Sequence, residues 1–158
     1  MESWGNFFAA EVGAAATLTG LLFVAISINL TRVLQLPYLP LRALEALAAL
    51  MSVLFVSTIG LIPHQPAEAM GAEITLTGVV TWTFQIWALV TTHKAARENP
   101  RYWLRVLLNL IPAPTYIIGG AFIAGRITGG GLWIAAGILL SFSAAVLSSW
   151  VLLIEINR

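Results

Sequence analysis

Apolar residues in this chain come in five long blocks, and the polar positions gather in the gaps between them. The blocks cover residues 7–31, 42–62, 71–93, 103–125 and 132–156. Each is near the roughly 20 residues that a helix needs to cross the hydrocarbon of a bilayer. The breaks read "LQLPYLPLR", "IPHQPAEAM", "HKAARENPR" and "GRITGGG", each marked by Pro, Gly or charge. The pattern predicts an all-α membrane protein, a five-transmembrane-helix bundle forming one integral membrane domain over 1–158. Pro112 and Pro114 fall inside the fourth block, which predicts a kinked or partly unwound helix there. No internal repeat interrupts the series. All the gaps are short, so no soluble domain is expected.

Composition strengthens this reading. The chain is 59% hydrophobic and 9% charged, with a mean hydropathy of +0.89, far from the balance of a soluble domain. It has no Asp and no Cys, which excludes disulfides, thiolate metal sites and cysteine nucleophiles. A net charge of +1 does not supply the basic footprint that nucleic acid requires. The opening "MESWGN" carries Glu2 and no basic run, so the first block is expected to remain as a membrane helix rather than a cleaved signal.

The basic residues predict a direction. Arg32, Arg42, Lys94, Arg97, Arg101, Arg105 and Arg158 fall on one side of the five-span scheme, and Arg126 alone on the other. Basic loops stay cytoplasmic, so the N-terminus is expected outside and the C-terminus in the cytoplasm. Trp4, Phe7 and Phe8 at the outer edge, and Tyr102 and Trp103 at the inner edge, suit interfacial anchors. The run Lys94, Arg97, Arg101 and Arg105 sets topology, and it could also attract anionic lipid headgroups. Arg126 calls for a neutralising partner among Glu11, Glu68 and Glu73.

Helical faces can be drawn from the same rows. Gly13, Ala16, Thr17, Gly20, Ser27 and Thr31 form one stripe of small residues, and Gly137, Ser141, Ala144 and Ser148 form another, continued by Glu155. Small residues let membrane helices approach closely. Both stripes therefore read as intramembrane packing, and a sharper reading makes one of them a subunit contact. Opposite the first stripe lie Glu11 and Asn29, 18 residues or about 27 Å apart, with Ala15, Leu18, Leu22 and Ile26 between. An intramembrane carboxylate is a functional candidate by default. Glu11 could instead reach headgroup water or accept a hydrogen bond from a neighbouring helix. If copies of the first span surrounded an axis, Glu11 and Asn29 would ring the mouths of an apolar constriction.

Gln85 shares a face with Gly78, Trp82, Leu89 and His93 near mid-membrane. It is expected to be buried and to bond Asn109 or a carbonyl freed by Pro112. Arg42 and Glu45 stand at i, i+3 and read as a surface pair. His64 and His93 lack the neighbours of a metal site. No Ser-His-Asp set, HExxH, phosphate loop or nucleotide fingerprint occurs, so neither enzyme activity nor a metal or cofactor is expected.

The stretches "FFAAEVGAAATLTGLLFVAISINL", "LPLRALEAL" and "SSWVLLIEINR" resemble a family of small bacterial membrane proteins. Some of its members are loosely labelled modulators of the membrane-bound FtsH-type protease. The resemblance implies a multi-pass protein of the bacterial cytoplasmic (inner) membrane, with a pattern ExGxxxxxxGLLFVAxSxNL that contains Glu11 and Asn29. It carries no catalytic motif. Three functional readings follow from the sequence. The first is a homo-oligomeric pore or permeation pathway for small ions or solutes. The second is a non-catalytic interaction subunit gripping a membrane protein partner, such as a protease. The third, an intramembrane enzyme, has the least support. Membrane lipids are expected partners in every case.

Overall fold

In a bilayer every backbone N–H and C=O must find its partner inside the protein, and a helix does this within one segment. The computed structural model follows that rule. It describes residues 4–35, 38–96 and 102–156, the side chains of 93–96, 102, 104–105 and 151–156 excepted. The described residues form seven helices and no strand: α1 (Gly5–Ile28), α2 (Leu30–Gln35), α3 (Leu39–Leu61), α4 (Ala67–Ala96), α5 (Tyr102–Leu110), α6 (Pro112–Ala124) and α7 (Gly130–Ile156). Five stretches are long and apolar enough to span a membrane: Gly5–Ile28, Leu39–Leu61, Ala67–Thr92, Val106–Ala124 and Gly130–Trp150. The protein is a five-span helical membrane bundle.

The fourth span is interrupted where the prolines predict. Ile111 separates α5 from α6, and Pro112 opens α6. Pro112 and Pro114 have no N–H, so the carbonyls of Leu108 and Leu110 lose their usual i+4 donors. The first span also ends at an identifiable residue. Asn29 turns its N–H to Ile26 O at 3.2 Å, and its side-chain amide replaces that donor at Ala25 O, 2.9 Å away. Pro40 sits in the first turn of α3, where a missing N–H costs nothing.

Close backbone approach holds the centre together. A Cβ added to Gly71 on α4 would collide with Ala124 N and Gly120 O, and one added to Gly120 would collide with Thr75. Helices α4 and α6 therefore meet backbone to backbone. Gly137 brings α7 equally close to Thr115 and Tyr116 of α6. Helix α3 lies among α1, α4 and α7. Helix α1 stands at the edge and packs mainly on α3. Only 6% of its span is buried, against 28–44% of the others.

Two expectations are corrected here. Phe8 is no interfacial anchor: it is fully buried, with its ring filling the space over Gly60 and packing beside Trp4 and Phe7. Glu45 is no surface residue: it is 1% exposed and turned into the bundle. Trp103, by contrast, is exposed. On the loop side, Arg126 meets Glu68 at 3.2 Å, which supplies the neutralising partner, while Glu73 accepts from Gln65 at 2.7 Å.

Candidate functional site: a polar core inside the bundle

A carboxylate and two amides converge in the apolar interior. Glu45 of α3, Gln85 of α4 and Asn109 of α5 are 1%, 2% and 4% exposed. Asn109 Nδ2 donates to Glu45 Oε2 at 3.4 Å, and Gln85 Nε2 donates to the backbone O of Glu45 at 3.4 Å. Both bonds are long for N–H···O contacts. The two amides therefore meet on Glu45 rather than on each other or on a carbonyl freed by Pro112.

A second polar group lies farther along the same interior. Tyr116 of α6 is fully buried, with its hydroxyl 2.9 Å from Ser141 Oγ of α7. Ser52 of α3 stands beside the same phenol. Ser52 is seven residues from Glu45, so both lie on one face of α3. Between the two groups is a cavity of about 10 Å³ lined by Gln85, Asn109, Ser52, Ser141 and Thr81, among others. Among the described residues, Gln85 Oε1 and Ser57 Oγ have no hydrogen-bond partner.

The antiparallel register of α1 and α3 sets the depth of these groups. Phe8 lies against Gly60, and Leu22 clusters with Ala46 and Leu50, which puts Glu11 level with Ser57. From Glu45 to Ser57 the helix rises about 18 Å, more than half of the ~30 Å hydrocarbon. Six helices, α1 and α3–α7, thus contribute polar groups to one interior row.

The sequence-level candidates separate accordingly. Gln85 and Asn109 are brought together at Glu45. Glu11 is half-buried at the far end of the row. Asn29 stands apart as the residue that ends α1. The face between Glu11 and Asn29 is the packing face of α1: Ala15 and Leu22 are buried on it, and Leu18 and Ile26 pack against the same core as Leu50. The stripe of Gly137, Ser141 and Ala144 is buried inside the protomer, with Ser148 half-buried at its end. The stripe of Gly13, Ala16, Thr17, Gly20, Ser27 and Thr31 is exposed along its whole length. Its hydroxyls are satisfied locally, Thr17 donating to Gly13 O and Ser27 to Phe23 O at 2.8 Å. The side chains of Lys94, Arg97, Arg101, Arg105 and Glu155 lie outside the described residues, as does that of His93.

Sequence reasoning missed Glu45 and Tyr116. The signal for Tyr116 was present, since a tyrosine in the middle of an apolar span needs a partner for its hydroxyl. A larger groove of about 330 Å³ opens between α1, α3 and α7. Its walls are apolar apart from Ser149, whose hydroxyl donates to Ala145 O, and the indole of Trp150. Among the described residues no three His, Asp or Glu side chains are grouped to hold a metal ion. No protein-family model matches the chain, and neither a curated protein nor a solved structure matches it.

Proposed function

We propose that this protein is a membrane permeation protein, and that protons move through the polar row inside each protomer. The observation that carries the reading is the under-satisfied core. Buried polar groups that serve only to join helices are expected to be fully hydrogen-bonded. Here the two amides make only long bonds to Glu45, and among the described residues Gln85 Oε1 and Ser57 Oγ have no partner. Polar and ionisable residues kept inside a membrane bundle at this cost are characteristic of ion paths and proton relays.

The size of the interior selects the permeant. A cavity of about 10 Å³ is close to one water probe, so at this point of the row a proton fits and a hydrated ion or larger solute does not. The basic asymmetry favours an N-out, C-in orientation in a bacterial cytoplasmic membrane. On that orientation Glu11 faces the outer half of the membrane and Glu45 the inner half. The test is proton flux into liposomes carrying the reconstituted protein under an imposed potential. Wild type should conduct and Glu45→Gln should not, because glutamine keeps the shape but cannot cycle a proton. A correctly assembled wild type that carries no proton current would remove the reading.

A second reading has its own support. The exposed small face of α1 has open space beside Gly13 and Gly20, and small faces of this kind grip partner helices. On this reading the protein self-associates through α1, or holds another membrane protein there as a non-catalytic subunit. The resemblance to proteins labelled protease modulators favours such a role. Co-purification from native membranes, with and without Gly20→Leu, distinguishes it: a partner released by that substitution supports the reading.

A further inference from the structure

We infer that the cavity between Gln85, Asn109, Ser52, Ser141 and Thr81 is a binding site for a single water molecule, which joins the two polar groups of the core. The inference rests on the reading of the core as a proton path and supplies the link that the path requires. Amide groups accept and donate hydrogen bonds but do not readily pass a proton on. Among the described residues, the groups between the Tyr116–Ser141 hydroxyl pair and Glu45 are the amides of Gln85 and Asn109 and the hydroxyls of Thr81 and Ser52, and Ser52 commits its hydrogen to Ala49 O. A relay across that gap needs a molecule with both O–H donors and lone pairs.

Size and chemistry agree on water. The cavity volume of about 10 Å³ is at the lower bound for holding one water, which also needs two to four polar partners. Gln85 is 2% exposed, lines the cavity and has an amide oxygen with no hydrogen bond among the described residues. A water hydrogen donated to that oxygen removes the penalty of leaving a buried acceptor unpaired. Ser52 commits its own hydrogen to Ala49 O at 2.7 Å, so its lone pairs are left to accept. Ser141 and Tyr116 face each other at 2.9 Å, and either hydroxyl can donate. When Tyr116 donates, the Ser141 hydrogen is free to point to the water. When Ser141 donates, the water can donate to Ser141 instead. The pair can therefore reverse direction, as a relay must after each proton.

The test uses the full chain in lipid nanodiscs and solid-state NMR with polarisation transferred from water. In wild type the side-chain amides of Gln85 and Asn109 should gain signal from water severalfold faster than the methyls of Val53, which is fully buried in the apolar core. Gln85→Leu removes the acceptor at similar volume, and in it the Asn109 side-chain signal should slow to the rate of Val53. A melting curve checks that the variant is folded, and Gln85→Glu, which keeps an acceptor, should restore the fast transfer. Wild-type amides as slow as Val53 would overturn the inference. So would a Gln85→Leu variant that is folded and still fast. The outcome is separable from the proton-flux result. A dry cavity in a conducting protein sinks the water site alone, whereas a hydrated cavity in a non-conducting protein sinks the permeation reading and leaves the site standing.

Discussion

Helices α1 and α7 carry small-residue faces that look alike in sequence and end in opposite places. On α7, Gly137 lies so close to α6 that a Cβ would collide with Thr115 Oγ1 and come within 2.7 Å of Tyr116, and Ser141 holds the Tyr116 hydroxyl. On α1, a Cβ at Gly13 or Gly20 would meet nothing within 4 Å. Small residues tell how near another backbone can come. They do not tell whether that backbone belongs to the same chain. The α7 face is spent inside the protomer, and the α1 face is open outside it.

This contrast is breakable by substitution, and the largest effect belongs to α7. Gly137→Leu must push α6 and α7 apart at their tightest contact, so thermal unfolding in detergent should report a loss of about 3 kcal/mol or more. Ser141→Ala leaves the Tyr116 hydroxyl with Ser52 alone beside it, and should cost about 1 kcal/mol in the same assay. Gly20→Leu should leave protomer stability within about 0.5 kcal/mol of wild type, because no neighbour in the chain is displaced. Any change it makes should appear as a smaller assembly by light scattering. If Gly20→Leu unfolds the protomer as Gly137→Leu does, the distinction between the two faces is lost. The smallest effect is at the surface. Arg126→Ala breaks an exposed ion pair to Glu68 and should cost less than about 1 kcal/mol, falling further as salt is raised.

The fold was legible because crossing a bilayer is a constraint on one dimension of the chain. Long apolar blocks broken by Pro, Gly and charge located all five spans, and Pro112 located the break in the fourth. The ends were less visible. Helix α4 begins at Ala67, four residues before the apolar block, because Glu68 in its first turn can continue the helix into water. Half of the site was legible too. Gln85 and Asn109 stood out as amides in apolar spans, although their meeting point did not. Glu45 could not be found this way: three residues after Arg42 and near a span boundary, it looks like any interfacial carboxylate. Its burial follows from α4 and α5 closing over it, which is a property of the packing and not of its local pattern. Phe8 misled for the same reason, since the space that receives its ring is made by Gly60, on another helix.

The difference between the two faces also locates the proposed path. If protons travel through the core of each protomer, the open face of α1 has no part in conduction. If they travel along an axis between copies, that face or its opposite is essential and Glu45 is incidental. The most direct measurement is therefore proton flux through reconstituted wild type, Glu45→Gln and Gly20→Leu, each verified as folded. The account predicts that flux disappears in Glu45→Gln and persists per protomer in Gly20→Leu. Flux that survives Glu45→Gln and vanishes in Gly20→Leu would contradict it.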